Sequence, residues 1–321
     1  MIAARMGRTA TLAATLSMLM AANPAQAAEC GLKLIASYAM DTKAAGMAII
    51  PVNIAGAPRA TMIDTGSFAN WVTEHFVDAA KFDRQSIRQD ALVYGAEERV
   101  MNYVLVPSVD IGPIHQGPSK FMVQPDTAQS TVDAAFGNTA LEQFDIEFDF
   151  GAGKVNFFSQ DHCAGQVVYW AKSYTAVPFK MVDDQIFLTM TLDGHDLDTL
   201  LDTGTTFSYL NTRVALNVFG YDEHSPNVKQ VTLSKDYKPY VATFGSLSIG
   251  GISFPKPSLL LHSDTMRTMA RLDVPVKDQN QMGVTLPHFP HLLLGMDALH
   301  QLHLYIAFKE HKIYVTAAGA H

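Results

Sequence analysis

The chain has 321 residues, of which 48% are hydrophobic and 17% charged, and its net charge is -8. That length allows two packed lobes, and that composition excludes a disordered chain. The negative balance argues against a nucleic-acid partner, which would need a basic face.

At the N-terminus, Arg5 and Arg8 precede an apolar run from Ala10 to Ala22, and Ala25-Gln26-Ala27 has the small-x-small form of a cleavage site. Residues 1–27 read as a secretory signal peptide; a retained anchor is the alternative. The run is short for a membrane span, and no later stretch is apolar for long enough to make one. The expectation is an exported chain, periplasmic or secreted. The absence of an N-x-S/T sequon leans toward a bacterial periplasm. Cys30 and Cys163 are the two cysteines, and both survive cleavage. An even count in an exported chain suggests a disulfide between them, worth about 4–5 kcal/mol in the chain-entropy model. Two unrelated buried thiols are the alternative.

Beyond the signal the chain repeats itself. Asp64-Thr65-Gly66-Ser67 returns as Asp202-Thr203-Gly204-Thr205, Gly56 as Gly194, and Ser108–Gly112 as Ser246–Gly250, all at one offset. Toward the end of each half the offset is larger. Gly137 and Leu141 match Gly295 and Leu299, and Lys154–Phe157 matches Lys312–Val315. The second half therefore carries an insertion, placed at 267–290, whose polar, proline-punctuated sequence reads as a surface loop. The division is an N-terminal lobe at 28–158, a linker at 159–175 and a C-terminal lobe at 176–321. Short alternating or apolar runs predict strands at Ile49–Ile54, Val100–Ile111, Phe144–Phe150, Ile186–Leu192 and Leu302–Phe308. Short helices are expected at Thr139–Gln143 and Asp297–Gln301. Residues 28–44 are too few for an inhibitory pro-segment and would supply an edge strand. The fold class is all-β, with two similar lobes related by a pseudo-two-fold axis.

Each copy of the motif follows an apolar pair, Met62-Ile63 or Leu200-Leu201, which reads as a buried strand end. The glycine permits the tight turn that follows. Two such loops meeting across a two-fold axis would bring Asp64 and Asp202 together. Like charges so close cannot both ionise, so the pair would share one proton. The ionised partner can then activate a water while the protonated one donates to a carbonyl oxygen. One Asp-Thr-Gly is an ordinary turn; two at matching places in a repeat are a specific signal.

On these residues the chain resembles the aspartic protease superfamily, between the pepsin-like and retropepsin-like forms. The first motif runs on to Trp71, as in the pepsin-like pattern, and Gly137 and Gly295 resemble the hydrophobic-hydrophobic-Gly element that braces the active-site loop. The resemblance implies Asp64 and Asp202 as the catalytic pair. It implies a reciprocal grip between Thr65 and Thr203 and support from Gly66 and Gly204. Ser67 and Thr205 would hydrogen-bond the outer carboxylate oxygens. Residues 91–96 would form a flap, with Tyr94 and Gly95 closing over an extended peptide and Tyr94 reaching Trp71. A single such flap is pepsin-like and two are retroviral; the second half has Thr232 at the position of Tyr94, with Tyr237 nearby. The implied function is aspartic endopeptidase activity on a peptide or protein, with no cofactor and no metal, and one chain suffices for the site. A catalytically silent periplasmic module binding peptide or glycan is the alternative. The twelve histidines show no HExxH arrangement and read as surface residues rather than metal ligands.

Overall fold

The computed structural model describes residues 31–41, 46–87, 94–95, 98–126, 132–235, 237–262 and 289–320. The signal segment, Cys30, residues 91–93 and 96 of the expected flap, and nearly all of the 267–290 insertion lie outside them.

In the first half, Ile49–Ile54 pairs antiparallel with Ala57–Ile63, and that strand pairs parallel with Ala134–Phe136. Ala134–Phe136 then pairs with Trp71–Thr73, which pairs in turn with Ser119–Gln124, and that strand pairs with Asn102–Val106. The second half repeats this order with Gln185–Leu192, His195–Leu201, Leu292–Leu294, Tyr209–Asn211, Ser258–His262 and Tyr240–Thr243. The strands alternate as a half-buried sheet requires. In Ile49–Ile54 the side chains of Ile50, Val52 and Ile54 are buried while Pro51 and Asn53 are exposed. Each such buried aliphatic side chain contributes roughly 1.5–3 kcal/mol.

A sheet shared by the two halves joins them. Leu34–Ala39 lies at its edge, followed by Lys154–Phe158 and Asp145–Asp149; Leu302–Ala307, Lys312–Ala317 and Thr175–Val182 continue it from the second half. Every residue of Leu302–Ala307 is buried, as befits a strand covered on both faces. Asp145–Asp149 and Leu302–Ala307 run antiparallel with Glu147 opposite Tyr305. Those two residues are also counterparts in the repeat, so the pseudo-two-fold axis passes between them.

Two helices were not legible as periodic runs: Glu74–Ala80 and Thr212–Phe219. Both are short, and their signals are local. Asn211 accepts a hydrogen bond from the Arg213 N–H at 2.9 Å, and Gly220 closes the second helix at φ 70°. In the first half Lys81 takes the same left-handed position at φ 55°. The expected helices near 139 and 297 occur as Asn138–Leu141 and Met296–Leu299.

Between residue 159 and the strand that begins at Thr175, the linker carries no helix or strand. Side chains fasten it to the shared sheet instead. Asp145 and Glu147 point to the side opposite Ile146 and Phe148, which enter the main core. On that side Tyr169 Oη donates to Glu147 Oε2 at 2.7 Å, and Gly165 N–H donates to the Glu310 carboxylate at 3.1 Å. The Trp170 ring stacks on His303 with centroids 4.1 Å apart, and its Nε1 donates to Thr316 Oγ1 at 3.0 Å.

This corrects the reading of the histidines as surface residues. His162 pairs with Asp145, and His303 Nε2 lies 2.8 Å from Glu147 Oε1. Both imidazoles are almost fully buried, because a carboxylate taken from water into a sheet must be given partners. Burial pushes Asp145 above the usual carboxylate range despite His162. Burial alone would lower His162, but Asp145 holds it above its ordinary value.

Candidate active site

Asp64 and Asp202 each follow the last residue of a strand, Ala57–Ile63 and His195–Leu201. The Asp64 N–H donates to Phe136 O at 2.9 Å and the Asp202 N–H to Leu294 O at 3.1 Å, so a neighbouring buried strand end fixes each turn. Gly137 and Gly295 come next in those neighbours. A Cβ on Gly137 would lie 2.3 Å from Ala69 O, and one on Gly295 would lie 2.4 Å from Phe207 O. Only glycine allows this approach. It brings Asn138 N–H to Ser67 O at 2.8 Å and Met296 N–H to Thr205 O at 2.9 Å. Asn138 Nδ2 adds a bond to Thr65 O at 2.8 Å.

Beneath the aspartates the two halves lock reciprocally. Thr65 Oγ1 donates to Leu201 O at 2.8 Å, and Thr203 Oγ1 donates to Ile63 O at 2.5 Å. Each hydroxyl also accepts the other threonine's N–H, both at 3.1 Å. Both threonines are fully buried.

The glycines bring the carboxylates together. A Cβ on Gly66 would sit 2.2 Å from Asp202 Cγ, and one on Gly204 would sit 2.3 Å from Asp64 Cγ. Each carboxylate therefore lies on the opposite half's glycine. Each also accepts its own glycine's N–H, Gly66 to Asp64 Oδ1 at 3.0 Å and Gly204 to Asp202 Oδ1 at 2.8 Å. The two carboxyl groups are within hydrogen-bonding reach of one another. Burial and then the charge of Asp202 hold Asp64 well above the usual carboxylate range, and burial raises Asp202. The pair retains a proton at pH values where an exposed carboxyl would have lost it. Gly66→Ala is expected to lower activity at least ~100-fold by displacing Asp202, with an unchanged circular dichroism spectrum. A substitution tolerated in kinetics would contradict the close approach.

The hydroxyls beside the motif differ from expectation. Ser67 Oγ donates to Ala69 O at 2.9 Å and accepts the indole N–H of Trp71, rather than holding the outer oxygen of Asp64. The Ser67 backbone N–H faces the Asp64 carboxyl instead. In the second half the Thr205 N–H faces Asp202, and the Thr205 hydroxyl meets the Tyr209 hydroxyl. Trp71 and Tyr209 occupy equivalent places in the repeat, so each half backs its aspartate loop with one aromatic polar group. Tyr209 could have been found from the sequence by carrying Trp71 across at the same offset. Gln185 gave no such signal; its Nε2 donates across the halves to Gly66 O.

Tyr94 and Gly95 form one arm of a two-residue hairpin opposite Glu98–Arg99, with Tyr94 facing Arg99 in the ladder. Cys163 lies in the linker, and its expected partner Cys30 is outside the described residues. Among the described residues no group of three or more His, Cys, Asp or Glu side chains could hold a metal ion. No helix there is long and apolar enough to cross a membrane.

A family model described as aspartyl protease matches residues 50–140 and 188–298, one segment around each Asp-Thr-Gly. Among solved structures, basic 7S globulin from soybean is 9% identical over 90% of this chain and 96% of that one, with a TM-score of 0.49. A search of the curated proteins finds no match.

Proposed function

Because the chain belongs to the aspartyl protease family, we propose that it is an endopeptidase in which Asp64 and Asp202 together activate a water against a peptide bond. The observation that carries this is the meeting of two carboxyl groups, one from each half, each packed on the other's glycine. An inert binding module has no use for two acids in contact, since their repulsion and burial both cost stability.

The shared proton divides the chemistry. The ionised carboxyl takes a proton from a water lying between the pair, and the oxygen of that water attacks the carbonyl carbon. The protonated carboxyl donates to the carbonyl oxygen as the tetrahedral intermediate forms. The C–N bond then breaks as the nitrogen takes the proton now held by one carboxyl and a hydroxyl of the intermediate gives its proton to the other, which leaves the pair singly protonated. The pair titrates as a unit, so neither aspartate has a fixed role. The reciprocal threonine lock keeps the carboxyls in register, and the amides of Gly66 and Gly204 stabilise whichever is ionised.

The substrate is a peptide or protein segment in extended form, and the chain is exported, with a disulfide from Cys30 to Cys163. Peptide mapping without reductant should recover the two cysteine peptides joined; their recovery as separate free thiols would remove the bridge from this reading. The enzymatic reading is tested by incubating the mature chain with a diverse peptide mixture from about pH 3 to 7, a span covering ordinary and raised carboxyl pKa values. Cuts present in the wild type and absent in Asp202→Asn are expected. Folded wild-type protein that cuts nothing would favour the silent binding module.

A further inference from the structure

The segment that joins the halves contains a histidine whose ring meets oxygen acceptors on both sides. His162 Nε2 lies 2.5 Å from Asp145 Oδ2. Its Nδ1 lies 3.2 Å from Cys163 O and 3.9 Å from Glu310 Oε1. The side chains of His162, Asp145 and Glu310 are 4%, 1% and 8% exposed, so water does little to relieve a mismatch among them. A neutral imidazole has one N–H and one bare nitrogen, and the bare one would face oxygen. Only the imidazolium satisfies both contacts.

The two carboxyl groups are ringed by donors, which suits their ionised form. Asp145 Oδ1 accepts the Phe308 N–H at 3.1 Å, and Oδ2 accepts from Tyr305 Oη at 3.4 Å. Glu310 accepts the Gly165 N–H at 3.1 and 3.2 Å and Tyr314 Oη at 2.6 Å, with Lys312 Nζ 3.8 Å away. The Tyr305 ring stands edge-on to His162 with centroids 6.3 Å apart. Burial pushes both phenols well above their ordinary range, so they stay neutral. On the histidine's own segment Asp161 is exposed and takes the Ser159 hydroxyl, while the exposed Lys309 reaches Gln160 O at 3.4 Å. Burial works against a charge on His162, but the bonds to Asp145 and Cys163 and the charges of Asp145 and Glu310 outweigh it and hold the ring above its ordinary value. Asp145 is itself raised by burial, so its protonation belongs to the acid side and is a separate step.

What the ring holds in place is small. Gly165 N–H is on Glu310, Gln166 N–H donates to Cys163 O at 3.2 Å, and Val167 packs with Phe158, Tyr305, Ala307 and Tyr314 in a cluster separate from the main core. A unit of this size can open without the strands beneath it.

We propose that His162 is a pH-sensitive clasp: as an imidazolium between Asp145 and Glu310 it fastens residues 162–167 beneath the shared sheet, and on losing its proton it lets that stretch open while the strands of the two halves stay paired. The sign follows from linkage. A histidine raised in the closed form contributes its full stability below the ordinary histidine value, and that contribution is lost as pH rises through the raised one. The clasp does not depend on the endopeptidase reading.

The test uses the full mature chain. Nitrogen-15 spectra of histidine-labelled protein should show both ring nitrogens of His162 protonated at a pH where a histidine in an unfolded peptide has already lost one. Loss of that signal in His162→Gln assigns it. A bare ring nitrogen at that pH would overturn the proposal. Amide hydrogen exchange of the wild type from about pH 6 to 9, corrected for intrinsic base catalysis, reads the opening itself. Protection at Gly165 and Gln166 is expected to fall up to about tenfold per pH unit above the ordinary histidine value and then level off, with the amides of Leu302–Ala307 unchanged. In His162→Gln the protection should be low and independent of pH. A flat profile in the wild type, or equal loss in the strands, would overturn the clasp. Both wild-type measurements stand even where the variant fails to fold.

Discussion

Asp202→Asn is expected to abolish peptide cleavage, by about 1,000-fold or more, and at the same time to raise the melting temperature near neutral pH. The two effects have one cause. Both aspartate pKa values are raised in the folded chain, Asp64 by burial and the charge of Asp202, and Asp202 by burial. The folded chain therefore keeps a proton that the unfolded chain has already released. Wherever the folded state binds more protons, stability falls as pH rises. The cost begins near the ordinary carboxyl value and is complete above the raised one. An asparagine carries no ionisation to suppress, so it removes the cost. Burial pushes Asp202 up to about 6, which sets the gain at about pH 7 at a few kcal/mol. At about pH 3 both forms are protonated, and the gain should nearly vanish. Thermal melts of both proteins across that range check the idea. A stability gain equal at both ends would mean that the substitution acts through packing and not through the shared proton.

The second large effect is expected far from the aspartates. Glu147→Ala should destabilise the chain by about 3–5 kcal/mol in denaturant titrations. Its carboxylate accepts from Tyr169 at 2.7 Å and Asn156 at 2.6 Å, and lies 2.8 Å from His303 Nε2. Each polar group left without a partner in a buried place costs roughly 1–3 kcal/mol, and groups in one network do not add simply. Glu147→Gln keeps an acceptor oxygen and should cost less than half as much. The linker should also become open to proteases between residues 159 and 175, because Tyr169 loses its anchor. A change below ~1 kcal/mol would show that the network is not needed to hold the halves together. Cleavage activity at low temperature should survive in Glu147→Ala, which separates this effect from that of the aspartates.

The repeat and the aspartate pair were legible because they rest on local sequence. Asp-Thr-Gly after an apolar pair is a strand end and a turn, and a fixed offset between copies implies matching strand order. The strand at Ile49–Ile54 occurs with the expected bounds, and the shared-sheet strand expected at Leu302–Phe308 ends one residue earlier, at Ala307. What the sequence concealed is directional. A serine beside an aspartate reads as its partner, yet the Ser67 hydroxyl turns to Trp71 because that indole N–H is buried and must donate to something. His162 and His303 look like surface residues until Asp145 and Glu147 are seen on the covered side of a strand that the linker crosses. No periodicity in residues 159–175 announces that crossing. It depends on pairing between strands from opposite ends of the chain, as in Glu147 opposite Tyr305.

That last pairing bears on ancestry. Two separate, identical subunits assembled by the same rotation would set each axial residue against its own copy. A glutamate there would face a glutamate, or a tyrosine a tyrosine, and every gain at that spot would be limited by self-compatibility. Joining the halves in one polypeptide lifts the restriction. An acid can then stand opposite a phenol, and a strap of connecting chain can be anchored on one side alone. The same freedom extends outward from the axis, where Trp71 stands behind one aspartate loop and Tyr209 behind the other. A fused pair can thus evolve a reading direction along its substrate, which a strictly symmetric dimer cannot.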